Sequence, residues 1–140
     1  MKKNSIALIS RIREKSGKFL SQKLEENGII GVVPSHGDIM AVLFRVDKCT
    51  MKELALHIHR TKATLTVLVD KLIKLELVVR EKSAEDSRVT YIKLTQKGQA
   101  LKPVFDKISA ELNSVVYNGF SKEEAETLEF FLEKLNSNFD

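Results

Sequence analysis

Apolar residues recur along most of this chain at intervals of three and four, the spacing that puts them on one face of an α-helix. Over about residues 4 to 26, Ile6, Ile9, Ile12, Phe19, Leu20 and Leu24 form a broad stripe that stops at Asn27-Gly28, a C-terminal cap. Pro34-Ser35 opens a second helix, about 35 to 47, with Ile39, Val42, Leu43 and Val46 on its core side. Thr50-Met51-Lys52-Glu53 is a capping box, in which hydroxyl and carboxylate each satisfy an orphan amide, so a short third helix runs to about Ile58. After a turn at His59-Arg60, Thr61 caps a fourth helix that buries Leu65, Leu68, Val69, Leu72 and Leu75. Two helices joined by so short a turn read as a helix-turn-helix.

The period then changes. Leu77-Val78-Val79-Arg80-Glu81 and Val89-Thr90-Tyr91-Ile92-Lys93-Leu94 are rich in β-branched residues, with Val89 and Tyr91 in one apolar phase and Ile92 and Leu94 in the other. The polar stretch 82–88 between them makes a β-hairpin with a long charged tip. From Thr95 a fifth helix carries Leu101, Val104, Phe105, Ile108, Leu112, Val115 and Val116 to Asn118-Gly119, and Pro103 inside it should bend it or delay its start. Ser121-Lys122-Glu123-Glu124 is a second capping box, opening a sixth helix with Ala125, Leu128, Phe131, Leu132, Leu135 and Phe139. The fold class is therefore all-α with a small β wing. The first, fifth and sixth helices carry more apolar surface than one small core needs, which predicts that they pack against a second copy of the chain.

Composition narrows the function. The 140 residues are 43% hydrophobic and 30% charged, as in an ordinary globular domain. One cysteine, Cys49, excludes an internal disulfide and suits a reducing compartment. No apolar run approaches the ~20 residues of a membrane span, and Met1-Lys2-Lys3-Asn4 leads into an amphipathic segment rather than a signal core, so the reading is a cytoplasmic protein without a membrane partner. Charge is segregated: residues 1–50 carry +4, residues 51–102 carry +5 and residues 103–140 carry −5. A basic body with an acidic end points to a polyanion partner for the first two-thirds, against the plainer reading of solvated helix faces.

Chemistry for an enzyme is thin. His36, Cys49, His57 and His59 cluster in sequence and raise a metal or redox reading. On a regular helix, however, His57 and His59 point about 160° apart and cannot share an ion. No HExxH, CxxC, GxGxxG or GxxxxGK[ST] motif occurs, and no cofactor is implied.

Helix-turn-helix followed by a basic hairpin is the winged-helix arrangement, and here it resembles the MarR family of transcriptional regulators. The resemblance covers nearly the whole chain. Its most specific part is Asp86-Ser87-Arg88-Val89-Thr90-Tyr91-Ile92-Lys93-Leu94-Thr95-Gln96-Lys97-Gly98, similar to the family's wing pattern D-x-R, three residues, an aliphatic, x, L-T-x-x-G. Met51-Lys52-Glu53-Leu54-Ala55, Thr64-Leu65-Thr66 with Leu68-Val69-Asp70-Lys71-Leu72, and Gly119-Phe120-Ser121-Lys122-Glu123-Glu124 with Leu128 are also similar. The family implies a homodimer on double-stranded DNA, reading a pseudo-palindromic operator with the fourth helix and the wing. It also implies a small aromatic or apolar effector between the dimerisation helices and the reading lobe. On that pattern residues 35–98 read DNA, and 1–34 with 99–140 dimerise.

With Leu65 toward the core, the outer side of the fourth helix presents Ala63, Thr66, Val67 and Asp70, flanked by Lys62 and Thr64. Thr66 suits a base edge or phosphate, Ala63 and Val67 suit thymine methyl groups, and Lys62 and Thr64 suit the backbone. At the hairpin tip Arg88 reaches a minor groove while Asp86 braces it, with Lys82 and Lys93 as phosphate neighbours. The competing reading of Asp86 and Arg88 is an exposed ion pair without function. Two departures stand out. The family commonly has Arg where Val67 stands, so the operator is expected to be richer in thymine contacts. It often has Gly where Glu76 stands, which predicts an altered turn into the wing. Cys49 lies outside the first helix, where the family's peroxide sensors carry their reactive thiol, so it reads as a half-buried structural thiol. The alternatives are a winged-helix protein-interaction module that has lost DNA binding, and a metal- or redox-responsive regulator.

Overall fold

Side-chain caps decide where several helices begin. The Thr50 hydroxyl accepts from the Glu53 amide and the Glu53 carboxylate accepts from the Thr50 amide, both at 3.1 Å. Ser121 and Glu124 repeat the exchange at 3.1 and 2.9 Å, and Thr61 accepts from the Thr64 amide at 3.2 Å. The computed structural model describes residues 1–140. Its order is α1 (Ser5–Glu26), α2 (Pro34–Arg45), β1 (Cys49–Thr50), α3 (Met51–Ile58), α4 (Lys62–Lys74), β2 (Val78–Lys82), β3 (Thr90–Leu94), α5 (Gln96–Gln99), α6 (Lys102–Val116) and α7 (Lys122–Ser137). Pro103 delays the helix as expected. α5 is a single turn capped by Thr95, and α6 restarts at Lys102 with Pro103 in its first turn, where a missing amide costs nothing.

The chain packs as two units, Met1–Ile108 and Ser109–Asp140, divided within α6. In the first, the core stripes of α2, α3 and α4 converge. Ile39, Met40, Leu54, Leu65, Val69 and Leu72 are fully enclosed, and Val78 and Ile92 close the core from the sheet. A smaller cluster joins Leu24, Ile29, Val32 and Ile108. The N-terminal half of α1 has no such partner, and Ile6 and Ile12 are 59% and 60% exposed. In the second unit Gly119 (φ +81°) turns the chain, Tyr117 donates to the Glu129 carboxylate, and α7 buries none of its residues.

The sheet is antiparallel, in the order β1-β3-β2, and so contains a strand the hairpin pattern did not predict. Cys49 lies opposite Ile92, and Ile92 lies opposite Arg80. Directly opposed residues share a face, so the core-facing row is Cys49, Ile92 and Arg80, with Leu94 and Val78 beside it. The buried phase of β3 is therefore Ile92, not Tyr91, whose ring lies under the Lys48 ammonium at 4.3 Å.

Between α4 and the wing the chain turns through a Schellman motif. The Glu76 amide donates to Ile73 at 2.9 Å and the Leu77 amide to Leu72 at 3.0 Å. Contrary to the expected altered turn, Glu76 itself adopts the left-handed conformation (φ +61°). The turn survives because the strand base grips it. Thr95 donates its hydroxyl to the Glu76 carbonyl at 2.6 Å and its amide to Leu77 at 3.0 Å, and Lys97 donates to the Leu75 carbonyl at 3.1 Å. Gly98 packs so tightly here that an added Cβ would stand 2.1 Å from the Leu77 oxygen.

His36 serves α2 rather than a metal. It is buried, and its Nδ1 accepts from the Val33 amide at 2.9 Å, which requires a ring unprotonated at that nitrogen. Burial first, and the Lys71 charge second, hold its pKa below the ordinary histidine range.

Two tests follow from the turn and the cap. Glu76→Gly removes a left-handed side-chain penalty and should stabilise the fold by about 1 kcal/mol, whereas Gly98→Ala should destabilise it by about 3 kcal/mol or more, both read by urea denaturation. Because the folded pKa of His36 is lowered, its contribution is complete above the unfolded value of about 6.5 and falls away as pH drops below it. The melting temperature should therefore decline from pH 8 to pH 5.5, and His36→Gln should flatten that decline.

Candidate nucleic-acid interface

The helix-turn-helix is built by local backbone chemistry. His59 ends α3 in the left-handed region (φ 54°), and the Arg60 amide donates back to Ala55 at 3.2 Å, so the chain reverses within three residues. Thr61 then starts α4, donating its hydroxyl to the Thr64 hydroxyl at 3.0 Å. Leu65, Val69 and Leu72 anchor α4 in the core, which leaves Ala63, Val67 and Asp70 on its outer side. Val67 is 69% exposed.

The wing tip is held by its own hydrogen bonds. Ser83 Oγ accepts from the amides of Glu85 and Asp86, both at 3.2 Å, and the Ser83 amide donates to the Val89 carbonyl at 2.9 Å. Asp86 then grips Arg88 three times. One carboxylate oxygen accepts from the Arg88 amide at 3.0 Å and from Nε at 3.1 Å, and the other accepts from a terminal guanidine nitrogen at 3.2 Å. These bonds hold the Asp86 carboxyl below the usual carboxylate range. The Arg88 side chain remains 89% exposed, so its charge is oriented without being covered.

Between α4, the start of α3 and the wing lies an open groove of about 520 Å³, lined by Thr50, Met51, Lys52, Lys62, Thr66, Arg80, Arg88, Val89 and Thr90. Four cations and no carboxylate line it. Of the residues expected from the sequence, Lys62, Thr66 and Arg88 meet here, and Ala63, Thr64 and Val67 lie on the exposed surface of α4. Lys82 is exposed at the end of β2 opposite Thr90. Lys93 is on the outer face of the sheet, 3.5 Å from Glu81 and away from the groove lining. Asp70 gives one carboxylate oxygen to Arg80, so part of its charge is answered within the protein. Arg80 and Lys52 were missed. Arg80 stands ten residues from its partner, in a strand whose alternation marks it only as polar. Lys52 looks like any exposed residue of a first turn.

Neither metal nor thiol chemistry has a home here. No three His, Cys, Asp or Glu side chains stand together to hold an ion. Cys49 is fully buried rather than half-buried, and burial, followed by the Glu53 charge, pushes its thiol up to about 11, far from a reactive thiolate. No helix is long and apolar enough to cross a membrane.

This arrangement has relatives. A model of the MarR family matches residues 30–89. The HTH-type transcriptional regulator MhqR of Bacillus subtilis (strain 168) is 28% identical over 109 residues, covering 77% of this chain and 74% of MhqR. The HTH-type transcriptional regulator SarZ of Staphylococcus aureus (strain USA300) is 35% identical over 80 residues, 57% of this chain and about half (51%) of SarZ. Among solved structures, a Staphylococcus aureus MepR–DNA complex matches with a TM-score of 0.88 and 26% identity, over 96% of this chain and 97% of that one. A MarR transcriptional regulator from Methanosarcina mazei Go1 shares the fold, with a TM-score of 0.81 and 23% identity over 94% and 93% of the two chains. The wing motif, the helix-turn-helix and these likenesses agree: the chain has the winged-helix fold of the MarR regulators and is similar to that family through its helix-turn-helix and wing.

Proposed function

We propose that this chain is a cytoplasmic, sequence-specific repressor that binds a pseudo-palindromic DNA operator as a homodimer and is released by a small aromatic or apolar effector. The observation that carries the reading is the cationic groove between α4 and the wing, with Arg88 oriented by Asp86 beside an exposed α4 surface. The N-terminal half of α4 enters the major groove, and Arg88 enters the adjacent minor groove, where the potential is most negative. Lys52, Lys62 and Lys82 neutralise phosphates, Thr64 and Thr66 line the approach, and Lys93 stays with Glu81 on the outer face. Asp70 acts through Arg80, aiming it into the groove instead of touching DNA. Residues 35–98 read DNA, and segments 1–34 and 99–140 join two copies. The exposed apolar rows support that pairing: Ile6 and Ile12 on α1, and Phe130, Phe131 and Phe139 in the C-terminal unit. An effector acts only through a difference in affinity between the DNA-binding spacing of the two reading heads and another spacing.

Selection of a random duplex library on the purified protein tests this directly. An inverted repeat with half-sites about 10 base pairs apart, bound with a steep salt slope, is the expected result. Weak, sequence-blind binding would favour a protein-interaction role instead. Arg88→Ala should lower operator affinity about tenfold or more without changing the melting curve, and Asp86→Ala should lose part of that. Unchanged binding in Arg88→Ala would remove the wing from the interface. Lys62→Ala should weaken all sequences alike and reduce the salt slope by about one.

A further inference from the structure

The centre of the exposed α4 surface is apolar, and each polar side chain beside it already makes one hydrogen bond within the protein. Counting 100° per residue from the buried Leu65, the positions nearest the opposite side in the first two turns are Ala63 and Val67, one turn apart. Thr66, on one flank, donates its only hydroxyl proton to the Lys62 carbonyl at 2.8 Å. Thr64, on the other flank, accepts from the cap hydroxyl of Thr61 at 3.0 Å. Asp70, a turn further on, is locked to Arg80. Arg, Asn and Gln are absent from α4, and its one lysine in the first two turns, Lys62, stands at the N-terminal edge and lines the groove instead of the centre of the exposed surface. A Cβ methyl and an isopropyl group thus stand at the middle of the exposed α4 surface, with the four cations of the groove beyond Thr66.

We infer that α4 reads its operator half-site through the 5-methyl groups of thymine, received by Val67 and Ala63, and not through hydrogen bonds to base edges. The inference rests on the DNA-binding reading above. Of the atoms in the major groove, only the thymine methyl is apolar, so it alone gains from contact with two aliphatic side chains. The cations of the groove supply affinity without sequence preference, because phosphate is the same at every step. Sequence choice by α4 is then a count of methyl groups at fixed positions. Any pyrimidine bearing a 5-methyl group serves, including 5-methylcytosine.

The test uses the operator recovered by selection, with each half-site thymine replaced singly by uracil, which removes the methyl and leaves base pairing intact. At one or two positions per half-site the substitution should weaken binding about fourfold per methyl lost. In Val67→Ala, a change at an exposed position that leaves the fold intact, one of those penalties should vanish. A C·G pair placed there should regain about fourfold when its cytosine carries a 5-methyl group. If an operator is recovered but every uracil replacement stays within twofold, methyl reading is wrong while DNA binding stands. A uracil penalty that persists unchanged in both Val67→Ala and Ala63→Gly also overturns it. Failure to recover any operator would sink both readings together.

Discussion

At the base of the wing, Gly98 approaches the Leu77 carbonyl so closely that a methyl group there would lie 2.1 Å from the oxygen. This contact lets the segment Thr95–Gly98 reach three successive carbonyls, Leu75, Glu76 and Leu77, just where α4 ends and leaves acceptors unsatisfied. Thr95 is used twice, since its hydroxyl donates to Glu76 and accepts from the Gly98 amide at 3.0 Å. The two strands of the wing are thereby tied to the end of the helix that carries Val67. The Asp70–Arg80 pair ties them again, one turn before that end. Two attachments at different heights fix an angle, whereas one would leave a hinge. On the DNA-binding reading we propose, the angle matters because α4 and Arg88 meet neighbouring grooves of one duplex.

Local devices were legible in the sequence because their partners lie three residues away. Thr50, Thr61 and Ser121 cap helices where their side chains said they would. Pro103 delayed α6 for the covalent reason that proline has no amide hydrogen. The wing motif predicted the Asp86–Arg88 grip, whereas the tight seat of Gly98 against Leu77 came from the structure. What escaped was non-local. β1 is two residues long and has no propensity signal, because its stability comes from β3, some forty residues later. Arg80 became a groove residue only when its register beside Ile92 placed it on the face toward α4. At Glu76 the sequence argument weighed the backbone penalty alone, whereas three grips from Thr95 and Lys97 hold the turn in spite of it.

In the interface we propose, affinity and choice are separated. The groove brings Lys52, Lys62, Arg80 and Arg88 together, and their charges act at several ångströms on a uniform phosphate chain, so they tolerate sequence change. The α4 surface has the opposite character. An aliphatic contact is worth little at long range and is lost if a methyl group is missing. The ion pairs inside the protein sharpen that division. Asp70 and Asp86 each hold an arginine in a chosen direction, and each also spends a carboxylate that would otherwise repel phosphate. Arginine suits both places, since its planar fork keeps donors free after one side is bound.

The C-terminal unit sets the remaining requirement. α7 has 16 residues and buries none of them, while Phe130, Phe131, Leu132 and Phe139 are exposed. A helix of that length is marginal in water on its own propensity, and the Ser121–Glu124 cap and the Tyr117–Glu129 bond contribute only locally. Aromatic rows of this size are stable when covered. In the proposed homodimer a second copy would supply the same rows in a self-complementary arrangement, which is what a two-fold interface requires. In the dimer we propose, the surface that completes the fold is also the one that sets the distance between two reading heads. A ligand that shifts the packing of those rows would change operator affinity without touching a single DNA contact, and stability and DNA release would then respond to it together.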